Sequence, residues 1–416
     1  MTFDLIVVGS GMAGLCAAVT GLEAERRVLL VERESHPGGT TRLSDGIFNC
    51  FDPKRQIQSR IEDSPEKHLK DMMAVGRERN HQKLAETVCY EALPTLSWLE
   101  SLGFEFAPQT YQASGAPYPR CHQPMSGKGE AYVHFLLREA QKRGLVMMTD
   151  ATVETLIWDS RKQRVTGVGL QTKKGGRQVV KAALGLVLAH GGFQTNNALL
   201  KRFSPLLENV KSSGANGCRG ELLAQAADLG AQIIHTGYYV WDLKARARSV
   251  LMHPERFILV DSKGRRFCRE DMQFDAMGER ILELKDKSAW IVSPDINTSE
   301  PIPFKDEALR ATLEAYEEAV TIRRDVKFGK DARFLKSLYG RLGFCRVECT
   351  ITTTLGGLFI NERAEVLDRQ GRPIKGLTAA GDAVGGIFGC WSSTGDNLAA
   401  AATFGRTASR TLLSLS

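Results

Sequence analysis

The hydrophobic pattern is most regular at the amino end of the chain. Phe3-Asp4-Leu5-Ile6-Val7-Val8 is an apolar run of strand length that stops at Gly9-Ser10-Gly11-Met12-Ala13-Gly14. Leu15 to Val19 then has helical character, and a second apolar strand, Val28-Leu29-Leu30-Val31, ends in Glu32. Strand, Gly-x-Gly-x-x-Gly, helix, strand and acid follow one another, with Glu32 18 residues after Gly14. That order and spacing predict a dinucleotide-binding unit. In it Gly9 makes the tight turn, Gly11 lets the backbone approach a pyrophosphate, and Gly14 lets the helix pack closely on the strand. The helix start offers free N–H groups and a positive dipole end to the phosphates, while Glu32 accepts hydrogen bonds from ribose hydroxyls.

Further along, Ser64 to Leu102 carries Ala92, Leu93, Leu96, Trp98 and Leu99 at helical spacings, and Glu130 to Gly144 places Ala131, Phe135, Leu136 and Ala140 on one stripe. Val153 to Trp158 and Val165 to Leu170 alternate like strands of an antiparallel meander around Arg161-Lys162-Gln163. Lys181 to Ala189 supplies a further strand, and Gly376 to Asp382 is a short strand closed by small residues and an acid. Between these lies a stretch of different texture. It opens on Tyr238-Tyr239-Val240-Trp241, continues through Lys244 and Arg246, and contains a strand Phe257 to Asp261 followed by the turn Ser262 to Phe267. We expect residues 1–235 and 346–416 to form one discontinuous domain and residues 236–345 a smaller inserted one.

Composition narrows the class. A chain of 416 residues with 43% hydrophobic content suffices for two lobes, each with its own core. No apolar run is long enough to span a bilayer, and the chain opens on a fold-forming strand, so no transmembrane segment or signal peptide is expected and the location expected is cytoplasmic. The nine cysteines show no paired spacing, which reads as reduced thiols, with no metal or iron–sulfur framework. A net charge of +7 without a dense basic tract interleaved with aromatics argues against nucleic acid as a partner.

Taken together, the glycine fingerprint, Glu32 followed by Gly38-Gly39, Ala189-His190-Gly191-Gly192-Phe193, Gly356-Gly357-Leu358, Ala380-Gly381-Asp382-Ala383-Val384-Gly385-Gly386 and Thr403-Phe404-Gly405-Arg406 resemble the flavoprotein superfamily of fumarate reductases, succinate dehydrogenases and 3-ketosteroid dehydrogenases. The resemblance covers nearly the whole chain. It implies an α/β fold, a Rossmann-like FAD-binding domain interrupted by a smaller α+β capping domain. It also implies FAD contacts at Gly9, Gly11, Met12, Ala13, Gly14, Glu32, Arg33, Gly38, Gly39, Thr40, Thr41, Ser44, Gly46, Val153, Ala189, Gly191, Gly192, Gly381, Asp382, Asn397 and Leu398. Thr40, Thr41 and Arg42 stand where succinate dehydrogenases carry their flavin-attaching histidine, so the FAD is expected to be non-covalent.

The implied chemistry is hydride transfer between flavin and a C–C bond next to a carbonyl or carboxylate, with a protein group handling the proton. At the family's proton-donating arginine this chain has His253, and near a substrate-binding histidine it has Trp241. The family's His-His-Thr-Met becomes Thr352-Thr353-Thr354-Leu355, and its carboxylate-gripping Gly-Ala-Asn-Arg becomes Gly389-Cys390-Trp391-Ser392-Ser393-Thr394. These departures argue against fumarate, since a buried carboxylate needs a positive partner. The candidate proton carriers are His253, then Tyr239 and Arg246. The expected partners are a small-molecule substrate and an electron donor or acceptor of unknown identity. A flavoprotein of the same fold with another oxidation, of amine or alcohol type, or with a non-catalytic flavin-binding role, is the alternative.

Overall fold

A computed structural model describes residues 1–57, 61–113, 116–173, 175–204, 207–272, 274–297 and 300–414. In chain order its main elements are β1 (Thr2–Val8), α1 (Met12–Glu23), β2 (Val28–Val31), α2 (Pro65–Val75), α3 (Gln82–Ser101), α4 (Gly129–Lys142), β3 (Val146–Met148), β4 (Ala151–Asp159), β5 (Arg164–Thr172) and β6 (Arg177–Leu188). They continue with β7 (Tyr239–Lys244), β8 (Ile258–Val260), β9 (Ser288–Ser293), α5 (Asp306–Thr321), β10 (Gly343–Thr354), β11 (Glu365–Leu367), β12 (Pro373–Ala379) and α6 (Asp396–Leu413). The chain divides into two compact units, residues 1–208, 214–240 and 352–416 in one and residues 209–213 and 241–351 in the other. The breaks fall inside β7 and β10, a few residues from the positions 236 and 346 expected from sequence.

The first unit is built on a sheet of order β11-β12-β6-β1-β2-β3, to which the β4–β5 hairpin is joined through β6. β1, β2, β3, β6 and β12 run parallel. Their pairing sets Val8 level with Val31 and with Leu188, and Leu188 level with Ala379. The segments that follow β1, β2, β6 and β12 therefore leave the sheet at one edge. β1 lies between β2 and β6, where successive connections depart in opposite directions, and ligands of open α/β sheets bind at that point. β1 and β2 are apolar almost throughout because both faces of the sheet are covered, and Leu5, Ile6, Val7 and Leu30 are fully buried. α6 packs on α1 so closely that a Cβ on Gly405 would fall 2.3 Å from Ala13 O.

The second unit has its own four-stranded sheet, β7-β10-β9-β8, with β9 antiparallel to both β8 and β10. Ile258, Val260, Trp290, Val292, Phe304 and Tyr316 form its core. Beneath them lies a buried ion cluster. Arg266 pairs with Glu270 at 2.7 Å and with Asp325 at 2.8 Å, and Lys330 Nζ stands 3.2 Å from Glu270 and donates to Phe257 O at 3.1 Å.

Candidate active site

A cavity of the first unit runs along the carboxyl edge of the parallel strands. Gly9, with φ +103°, turns the chain out of β1, and a Cβ there would strike Ala189 O at 2.2 Å. A Cβ on Gly14 would fall 1.9 Å from Gly9 O, so only glycine lets α1 start this close to the strand end. Gly11 is different, for its Cβ would meet nothing nearer than Thr41 Oγ1 at 3.5 Å. The protein leaves that face open toward the cavity.

At one end, Glu32 accepts hydrogen bonds from Ser10 N at 3.0 Å, from the Ser10 hydroxyl and from Glu34 N at 2.9 Å. Ser10 Oγ in turn accepts from Gly38 N at 2.8 Å. Arg33 beside it makes a two-pronged pair with Glu221, both contacts at 2.9 Å. Burial works to raise the Glu221 carboxyl, but the Arg33 pair holds it below the usual range. Ala151, Val153, Ala215, Gly217 and Cys218 complete that end. Thr41 Oγ1 accepts from Met12 N at 2.9 Å, which orients the first turn of α1. At the other end stand Thr352, Thr353, Thr394, Gly395, Asn397 and Leu398, with Gly381 and Asp382 also in the wall. Burial pushes the Asp382 carboxyl up, partly offset by a hydrogen bond from Thr353.

Two enclosed polar atoms of this wall, His190 Nε2 and Asn397 Nδ2, have no partner among the described residues. Burial pushes the His190 imidazole down to about 4, so at neutral pH it is uncharged. Buried polar atoms are nearly always satisfied. A cleft with an open glycine face, an acid at the second strand end and unsatisfied polar atoms in its wall fits a polar dinucleotide such as FAD.

Of the residues expected to contact FAD, eighteen line this cavity: Gly9, Gly11, Met12, Ala13, Glu32, Arg33, Gly39, Thr40, Thr41, Ser44, Gly46, Val153, Ala189, Gly191, Gly381, Asp382, Asn397 and Leu398. Gly14, Gly38 and Gly192 do not. Gly14 sits under Gly9, Gly38 has φ +119° and packs against Arg42 and Val133, and Gly192 backs onto Thr354. Sequence reasoning missed Ser10, His190, Thr353 and the segment from Ala215 to Leu222. The last had a faint signal in Gly217 and Gly220 around Cys218, with no periodic flank to give it weight.

The three candidate proton carriers lie outside the cavity wall. Tyr239 is 3% exposed, donates its phenol proton to Thr236 O at 2.6 Å, and has its pKa raised by burial. His253 belongs to the second unit, with its side chain 64% exposed and Nδ1 3.7 Å from Glu255. Arg246, in the same unit, is exposed and lies 3.6 Å from Glu300.

Residues 4–397 match the family described as FAD binding domain. The chain is 27% identical over 438 residues to a protein of Shewanella frigidimarina named a probable fumarate reductase, covering 98% of this chain and 74% of that one. It is 26% identical to the acrylate reductase flavoprotein subunit of Shewanella woodyi, covering 99% and 91% of the two chains. Among solved structures, the open conformation of a flavocytochrome c3 fumarate reductase superposes with a TM-score of 0.88 at 26% identity, over 99% of this chain and 78% of that one. The chain belongs to the FAD-binding family, and its resemblance to the fumarate reductase superfamily holds. It binds FAD and is an FAD-dependent oxidoreductase of the CH–CH class. No helix among the described residues is long and apolar enough to cross a membrane.

Proposed function

We propose that this protein transfers hydride between non-covalently held FAD and a C–C bond of a small molecule, next to an activating carbonyl or carboxylate, and that fumarate and succinate are poor substrates. The observation that carries the reading is the cavity edge: the ends of β1, β2, β6 and β12 bring Gly9 to Gly11, Glu32, Ala189 to Gly191 and Gly381-Asp382 to one wall. Glu32 would hold the adenosine ribose, and the start of α1 the pyrophosphate. Thr40 and Thr41 would face the middle of the cofactor, with Asn397 at the flavin end. Bound FAD supplies the hydride or accepts it.

Non-covalent attachment follows from Thr40 and Thr41 standing beyond Gly38-Gly39 with no histidine among them. The substrate exclusion rests on Thr352-Thr353-Thr354-Leu355 and Cys390-Trp391-Ser392-Ser393, which carry no histidine or arginine to clamp a second carboxylate. For the proton, His253 is the first choice, because it stands where the resembled family carries its proton-donating arginine and its imidazole is accessible. Arg246 and Ser393 come next. The Tyr239 phenol, buried and already bonded to Thr236, fits a packing role better. The inserted residues 241–351 would then serve as the substrate-capping domain, and an electron donor or acceptor completes the cycle.

The test is an anaerobic half-reaction. Photoreduced enzyme is mixed with fumarate and with a panel of enones and enoates, and flavin reoxidation is followed by absorbance. Reoxidation by a panel member is expected, and His253→Ala should slow it by roughly two to four orders of magnitude with the flavin spectrum unchanged. Turnover of fumarate at roughly 10 per second or above would refute the substrate exclusion.

A further inference from the structure

Arg77 and Arg79 lie in the connection between α2 and α3, and that connection is laid against residues 386–390. Cys390 N donates to Gly76 O at 3.1 Å, His81 N to Gly386 O at 2.7 Å, and Asn80 Nδ2 to Ile387 O at 3.0 Å. A Cβ on Gly76 would lie 2.5 Å from Phe388 O, so the two backbones touch. This fixes the arginines beside Cys390 and Trp391. Arg77 stands over the Trp391 ring at 4.1 Å, and both arginines are exposed with no carboxylate in ion-pair range among the described residues.

Other groups converge on the same place. The Tyr238 phenol lies within electrostatic reach of the Cys390 thiol and of both guanidinium groups. His235, whose imidazole is pushed down by burial and by the neighbouring Arg79, has an enclosed Nδ1 with no partner among the described residues. Two chain segments link the cluster to the cavity wall. Tyr238 O accepts from Leu355 N at 2.9 Å, two residues beyond the cavity-lining Thr353, and Trp391 precedes the cavity-lining Thr394 by three positions. A cationic, partly aromatic surface is therefore carried by the segments that lead to Thr353 and Thr394, away from Glu32.

Building on the proposed function, we propose that Arg77 and Arg79 are the substrate-specificity residues of this enzyme, binding the single carboxylate of an α,β-unsaturated monocarboxylic acid. Two guanidinium groups from one short segment match the two oxygens of one carboxylate in charge-assisted hydrogen bonds. Trp391 and Tyr238 flank the planar part of the acid. As hydride reaches the β-carbon, the double-bond pair moves to the α-carbon, where a proton completes the second C–H bond. Charge that builds on the carboxylate oxygens meanwhile is neutralised by the arginines.

The test uses oxidised, flavin-loaded enzyme titrated with two matched pairs, cinnamate against cinnamamide and acrylate against acrylamide, with flavin absorbance reporting occupancy. The carboxylate of at least one pair should bind about tenfold or more tightly than its amide, as charge-assisted bonds give. The double substitution Arg77→Gln with Arg79→Gln should abolish that preference and leave flavin content and spectrum unchanged. Equal affinity within both pairs, no binding by either carboxylate, or a preference kept by the double variant each overturns the assignment. Failure of the underlying reading shows separately, as reduced enzyme that none of these compounds or the enone panel reoxidises.

Discussion

Gly11 and Gly14 look alike in sequence but do different work in the fold. Gly14 is required by the protein itself, since any side chain there would drive into Gly9 O, whereas Gly11 has ordinary contact distances around its missing Cβ and φ −69°. Gly11→Val should therefore fold, keeping its far-ultraviolet circular dichroism, and purify colourless, because the added methyl groups occupy the pyrophosphate position. Gly14→Val should lose soluble protein altogether. A folded, yellow Gly11→Val would show that the cofactor lies elsewhere. His190 completes the residue-scale picture, for its neutral ring presents to the same wall an Nε2 with no partner among the described residues.

Elements differed in how readable they were. The fingerprint unit, the helices near 64–102 and 130–144 and the meander were legible because hydrophobic period and glycine spacing are local properties, and β1, α1, β2, α4, β4 and β5 lie where the pattern put them. The cavity wall from Ala215 to Leu222 and the arginine pair at 77 and 79 were not. Each is a polar loop whose place is set by what it docks against, at residues 386–390 for the arginines, and no period along the chain encodes that contact. The helix–strand–loop packing of the second unit hides a further example, the cluster of Arg266, Glu270, Asp325 and Lys330. Removing one member of such a cluster strands a buried charge. Glu270→Ala leaves Lys330 facing Arg266 without its shared acid, and should cost on the order of 3 kcal/mol in chemical denaturation. Replacement by glutamine should cost less, since the amide oxygen still accepts a hydrogen bond.

For the molecule as a whole, the cavity draws its wall from distant parts of the chain, Val8 to Ala13 at one end and Thr394 to Ala401 at the other. FAD should therefore act as a tie between segments far apart in sequence. If it is held without a covalent bond, as proposed, heat or acid precipitation should leave the flavin in the supernatant. Amide hydrogen exchange of the stripped protein should then rise in α1, in residues 213–222 and at the start of α6 together, and fall again on adding FAD. Exchange that changes near α1 alone would contradict that coupling. The seat of α6 on α1, with Gly405 against Ala13 O, also bears on how the protein is made. Synthesis runs from the amino end, so the glycine fingerprint emerges well before the helix that buries its back, which lies almost four hundred residues later. The nascent chain can fold β1, α1 and β2 early, but its cofactor wall stays incomplete until α6 has emerged. Flavin capture is thereby deferred until that helix is made, and a chain terminated before it would be unable to sequester the flavin.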